Sequence, residues 1–258
     1  MRIAAHLLLL PALLLCACAS GPTTPFPDDQ DRQSVMAGIQ DARQRALQND
    51  RLAMYVLGAN WCHDSVNFSA MMQQPAVADI VEEEYEVQFI NVGYLENIRE
   101  YVNLFDVPVI YGTPTVLIVD PGTGTLLNRE SLSEWRNATN RQVSELTDYL
   151  QRFANAPPAA DAGEPSPALA QALRSIDDFE RRQAERIYSA YAVLGPLLEA
   201  HEAGKPAPGF DLKWGNLASM RTAITKDLAA LRQSAREQDA AGATDIALDF
   251  PEYALFND

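Results

Sequence analysis

Two short apolar runs constrain this chain most: Leu52 to Leu57, continuous and ending at Gly58, and Val87 to Val92, which includes Gln88 and Asn91. The first shows none of the apolar-polar alternation of a strand with one wet face. It therefore suits a buried central strand, and the second reads as a strand parallel to it in an α/β sheet. Parallel neighbours need a crossover, and the intervening residues supply one. Ser65 to Gln73 and Val77 to Tyr85 read as helices, with Pro75 as a break or first-turn residue. The crossover is expected to be right-handed.

The flanking pattern extends this order. Val35, Ile39, Ala42 and Ala46 form a helical stripe within Ser34 to Gln48, and Asn97 to Phe105 reads as a further helix. Thr115 to Val119, a turn at Asp120 to Gly124, and Thr125 to Asn128 read as a β-hairpin, followed by a helix over about Arg141 to Phe153. A linker rich in Ala, Pro and Gly then spans Asn155 to Pro167. Beyond it lie two apolar stripes, Ile176, Phe179, Ile187, Tyr191, Leu194, Leu198 and Trp214, Leu217, Ile224, Leu228, Leu231, joined through Gly204 to Gly209. They predict a C-terminal α-helical hairpin whose apolar faces pack together or onto the first unit. The tail residues Phe250, Tyr253 and Phe256 are candidates to dock there. The 258 residues, 47% of them hydrophobic, suffice for one good core and a smaller unit.

Chemistry enters at Trp61-Cys62-His63-Asp64-Ser65, in the turn between the first strand and the next helix. The second motif is Gly112-Thr113-Pro114-Thr115, just before the hairpin. Together, in this order along an α/β pattern, they resemble the thioredoxin-like superfamily over about residues 34 to 153. The first motif resembles the Trp-Cys-x-x-Cys site with Ser65 in place of the second cysteine, as in a subgroup of exported bacterial proteins. The resemblance implies a central mixed sheet flanked by helices and a cis-proline at Pro114 facing Cys62. It further implies that Thr113 offers its backbone to an extended client while Trp61 shapes the groove. Domains are expected at 34–155 for the thioredoxin-like unit, 156–168 for the linker and 169–258 for the helical region.

The departures define the expected reaction. A dithiol site closes its own disulfide, whereas one thiol can only attack, hold a mixed disulfide, or be capped until another thiol releases it. The strand position where thioredoxins keep a buried acid is Val56, and no lysine precedes Lys205. The proton-handling pair is missing along with the resolving cysteine. At a helix start, free N–H groups and the helix dipole favour a thiolate at Cys62. His63 would add to this when protonated, and Asp64 opposes it. Ser65, three residues on, is expected to hydrogen-bond the sulfur without being able to expel a client. Trp135 and Arg136 are candidates to border the groove, and His201 reads as a surface residue.

The chain start sets the compartment. Arg2 followed by the apolar run Ile3 to Leu15 reads as an export signal, and Leu15-Cys16-Ala17-Cys18 resembles the bacterial lipobox, with Cys18 as the lipid-attachment residue. The signal then spans 1–17, and 18–33, rich in proline, reads as a tether. Ala19 and Ser20 lean towards the outer membrane, facing the periplasm. Such processing leaves Cys62 as one free thiol, which excludes an internal disulfide and a cysteine-rich metal site. A net charge of -15 disfavours nucleic acid and anionic lipid surfaces, so membrane attachment is expected through the N-terminal lipid. No cofactor and no metal are implied.

The leading expectation is a monothiol thiol-disulfide oxidoreductase acting on thiol- or disulfide-bearing envelope proteins or small thiols. The alternative is a non-catalytic thioredoxin-fold binding or envelope-assembly module. A one-cysteine peroxidase is a weaker third reading, because no arginine or threonine is placed in sequence to support a peroxide.

Overall fold

The computed structural model describes residues 25–28, 30–156 and 164–254. The expected signal, Cys16, the lipid-attachment residue Cys18 and Phe256 lie outside the described residues. Helix α1 (Arg32–Asn49) starts where the Asp31 carboxylate accepts from the Ser34 N–H at 2.7 Å and ends at Asp50 in the left-handed region. It buries Val35, Ile39, Ala42 and Ala46, the stripe read from the sequence. Strand β1 (Leu52–Gly58) follows, then α2 (His63–Met72), α3 (Pro75–Glu84), with proline in its first turn, and β2 (Tyr85–Asn91). The expected helix at 97–105 is α4 (Arg99–Val102) continued by a 3-10 turn, Asn103–Phe105.

The sheet has the order β2-β1-β3, with β1 parallel to β2 and antiparallel to β3 (Thr115–Val119). Its faces explain the apolar runs. Ala53, Tyr55 and Leu57 pack with α1, Tyr101 and Phe105 on one side. Met54, Val56, Val116 and Ile118 pack with Phe68, Trp135, Leu146 and Leu150 on the other. Successive residues of β1 point to opposite layers, so a strand buried on both faces shows no alternation in its sequence. Helix α5 (Val143–Ala154), opened by a capping box between Gln142 and Glu145, closes the second layer. This is a mixed α/β unit, a small three-stranded sheet flanked by helices, with a helical region after it.

Two expectations change. The return strand of the hairpin is reduced to a single bridge, Val119 to Leu126. The buried side chain of Asn128 does the work of a strand there: its Oδ1 accepts from the Ile118 N–H at 2.8 Å. Its Nδ2 donates to the Val116 carbonyl at 2.7 Å and to the Tyr149 hydroxyl at 2.8 Å. Asn128→Ala should leave a buried donor and acceptor of β3 unsatisfied and destabilise the protein by about 2–4 kcal/mol. A denaturant titration showing a change below about 0.5 kcal/mol would contradict that role.

The second change concerns residues 18–33. Phe26 is fully buried, edge-on to Phe89 at 5.4 Å, and its carbonyl accepts from Asn60 Nδ2 at 2.8 Å. The tether reading therefore stops short of Phe26, because one aromatic in a proline-rich stretch is enough to pin it to the sheet.

Helices α6 (Pro167–Glu202) and α7 (Phe210–Ala240) form the C-terminal hairpin. Ser166 caps α6 by accepting from the Leu169 N–H at 3.1 Å, and Pro167 occupies its first turn. The two apolar stripes face each other and also Leu95, Val109 and Tyr111 of the first unit, so the hairpin packs on itself and on the sheet domain. Contact with that domain is close: a Cβ at Gly195 would lie 2.4 Å from the Tyr94 carbonyl oxygen. The Tyr191 hydroxyl donates to the Ile110 carbonyl at 2.7 Å. Phe250 and Tyr253 of the tail pack on Phe179. Among the described residues no helix is long and apolar enough to cross a membrane, and no group of His, Cys, Asp or Glu could hold a metal ion.

Candidate functional site

Strand β1 delivers the chain to a turn, Ala59 to Trp61, and Cys62 is the extended residue that opens α2 (φ -89°, ψ 113°). Its carbonyl accepts from the Val66 N–H at 3.0 Å and its own N–H donates to Ala59 at 3.2 Å, so its backbone is fixed on both sides. The side chain makes no cap bond. The thiol instead donates to the Thr113 carbonyl, with Sγ 3.3 Å from the oxygen, beside a cis Thr113–Pro114 peptide. Cys62 and Thr113 are each 9% exposed, and Pro114 is buried. The two sequence motifs, 51 residues apart, thus meet at the sulfur.

The neighbours of Cys62 divide by direction. The Trp61 indole N–H donates to the Gly93 carbonyl at 2.8 Å, and its ring stacks on Tyr94 and meets the edge of Trp214 from α7. His63 is exposed and does not line the cleft at Cys62. Asp64 accepts from the Thr139 N–H at 2.8 Å, tying the start of α2 to the turn before α5. Ser65 is fully buried and accepts from the Ala59 N–H at 3.4 Å, with no hydrogen bond to the sulfur. The reason is local. Gly58 leaves an open space that the Ser65 hydroxyl and the Phe26 ring occupy, 2.7 Å and 2.4 Å from where a Cβ would be. Ser65 braces the turn from below while the thiol faces the cleft. Val56, at the position of the missing acid, is fully buried in an apolar layer.

The cleft has a volume of about 280 Å³ and is walled by parts of the chain distant in sequence. Trp61, Cys62, Asp64 and the Ile110–Thr113 segment come from the sheet domain, and Arg136 and Asn137 from the loop before α5. Tyr191 comes from α6, and Trp214, Arg221 and Thr222 from α7. A larger depression of about 410 Å³ beside Arg51 and Phe153 holds no nucleophile, so the chemistry selects the smaller space.

Sequence order placed no arginine at the cysteine beyond the candidate Arg136, yet the fold brings two. Arg136 donates to the Thr222 hydroxyl at 3.3 Å. Arg221, 9% exposed, lies 5.3 Å over the Trp214 ring and lines the cleft together with Tyr191. Burial pushes Arg136 below the ordinary arginine range, and the like charge of Arg221 adds to it. Burial pushes Tyr191 up, with Arg221 opposing. One signal in the sequence pointed to Arg221. The stripe Leu217, Ile224, Leu228, Leu231 has a vacancy at heptad position 221, where a cation stands in an apolar series.

No protein-family model matches the chain, and no curated protein matches it. Among solved structures the chain is similar to a disulphide isomerase from Xylella fastidiosa Temecula1, with 19% identity over 52% of this chain and 100% of that one, at a TM-score of 0.47.

Proposed function

We propose that this chain is a lipid-anchored, periplasm-facing protein that performs single-cysteine thiol–disulfide exchange through Cys62. One observation carries the reading: the lone cysteine of the described residues opens α2 with its sulfur against Thr113, on the wall of a cleft. Cys62 loses its proton to solvent and attacks one sulfur of a disulfide. The old S–S bond breaks, its other sulfur leaves as a thiolate that takes up a proton, and Cys62 keeps the mixed disulfide. Ser65 is a hydroxyl turned away from the sulfur, so an external thiol must release the adduct. Thr113 and Pro114 position the client, and Trp61 walls the approach. Thiol- or disulfide-bearing envelope proteins and small thiols are the partners, and the lipid on Cys18 supplies the membrane link.

The test is to trap the exported protein in cells with a fast alkylating quench and resolve it without reductant. Wild type should carry adducts mapped to Cys62 that vanish in Cys62→Ala; identical adducts in both would overturn the reading. A second reading, a binding or envelope-assembly module with Cys62 inherited, is favoured by α7 lying against the groove where a client strand would pair. It predicts that Cys62→Ser preserves the cellular phenotype while removal of residues 166–258 abolishes it.

A further inference from the structure

We propose that the Cys62 cleft receives small carboxylate-bearing disulfides and thiols, held by Arg221 and Arg136 beside the reacting sulfur. The proposal rests on the exchange reading above. A guanidinium stays charged in a protein, and a buried one is costly unless an anion or a set of acceptors meets it. Arg221 is nine-tenths buried, and among the described residues no carboxylate lies within 4.0 Å of it or of Arg136. The cation in the buried core of the hairpin, Arg232, is by contrast paired with Asp177 and Glu180 at 2.8 Å each. Asp64, the acid on the cleft wall, has Oδ1 engaged by the Thr139 N–H.

Two cations on one small cleft, neither of them paired with its acid Asp64, make a fork for a carboxylate. Size points the same way. At about 280 Å³ the cleft falls just under the usual range of roughly 300–1,000 Å³ for drug-sized ligands. It suits a short acidic molecule better than a folded protein's loop. The balanced step is Cys62–SH + R–S–S–R → Cys62–S–S–R + R–SH, where R carries the carboxylate. The S–S bond of the reagent breaks, a new one forms at Cys62, and the thiol proton reaches the leaving sulfur through solvent. A second small thiol reverses the step and frees Cys62.

Three dialkyl disulfides test it on the full chain: 3,3′-dithiodipropionate (anionic), bis(2-hydroxyethyl) disulfide (neutral) and cystamine (cationic). Adduct formation at Cys62 is followed by peptide mass mapping, and each rate is divided by that of a free small thiol with the same reagent. Wild type should prefer the anionic over the neutral reagent by about tenfold, the worth of one charge-assisted bond, and react slowest with cystamine. Arg221→Gln should lower the anionic-to-neutral ratio about tenfold, with Arg221→Lys restoring part of it. Circular dichroism checks that both variants keep the fold. Reaction with all three reagents without charge preference, or a ratio untouched by Arg221→Gln, would overturn the anion-binding inference and leave the exchange reading standing. No Cys62 adduct with any reagent would overturn both.

Discussion

Phe26→Ala is expected to destabilise the protein by about 3–5 kcal/mol, the cost of a cavity where a fully buried aromatic side chain has been removed. For a chain of this length that corresponds to a melting point lower by roughly 10 °C. The effect comes from what the ring touches. It packs edge-on to Phe89 and fills the space above Gly58, next to the buried Ser65 hydroxyl under the Cys62 turn. Truncation at position 26 should therefore loosen the reactive turn as well as the sheet, and raise the alkylation rate of Cys62. A melting point within about 2 °C of wild type would show that the segment before α1 is an appendage after all.

Arg232→Ala is the second large effect, about 3–5 kcal/mol, because it strands a buried acid. Glu180 is 4% exposed and takes Arg232 at 2.8 Å; its other near cation, Arg129, stands at 4.0 Å. The Tyr111 hydroxyl also donates to Glu180, at 3.4 Å. The network thus joins α6, α7 and the segment two residues before Thr113. Burial together with the Glu180 charge pushes the Tyr111 hydroxyl well above the ordinary tyrosine range, so it remains a donor across the physiological range. The double variant Glu180→Gln, Arg232→Met should recover much of the loss, since it removes the charge together with its partner. If the double variant is as unstable as the sum of the two single changes, the charges are not coupled. The loss would then reside in packing.

Much of the fold was legible because burial on both faces leaves a mark on a strand. Leu52 to Leu57 lacked alternation, and β1 is buried from Ala53 on; Val87 to Val92 lies nearly within β2, of which only Tyr85 and Ile90 are buried. The long helices were legible for a different reason: amphipathic stripes sustained within helices of 36 and 31 residues leave little room for another period. What escaped was structure made by single side chains. Asn128 pairs with β3 through its amide, which looks like an ordinary loop residue in sequence. Phe26 pins a proline-rich stretch whose average composition reads as a tether.

The site was half legible for a related reason. Cys62, Thr113 and Pro114 were found through motif spacing, and their meeting depends only on the order of β1 and β3. The other half comes from α6 and α7, which no local pattern places at the cysteine. Tyr191, Trp214 and Arg221 reach it because Gly195 lets α6 close on the Tyr94 carbonyl and the hairpin carries α7 with it. Ser65 shows the limit of helical spacing. Position i+3 set it near Cys62, yet the open space at Gly58 turned its hydroxyl inward to the Ala59 N–H. Hydroxyl and thiol serve different faces of one turn.

On the proposed reading Cys62 captures and holds a disulfide partner because no second thiol stands among the described residues to expel it. The most direct measurement is the lifetime of a mixed disulfide on the purified full chain. Load the protein with excess small disulfide, remove the excess, and follow the mass of the Cys62 peptide with and without added thiol. One adduct at Cys62 is expected, persisting without thiol and lost promptly once thiol is added. Failure to load Cys62, or loss of the adduct at the same rate in both samples, would contradict it.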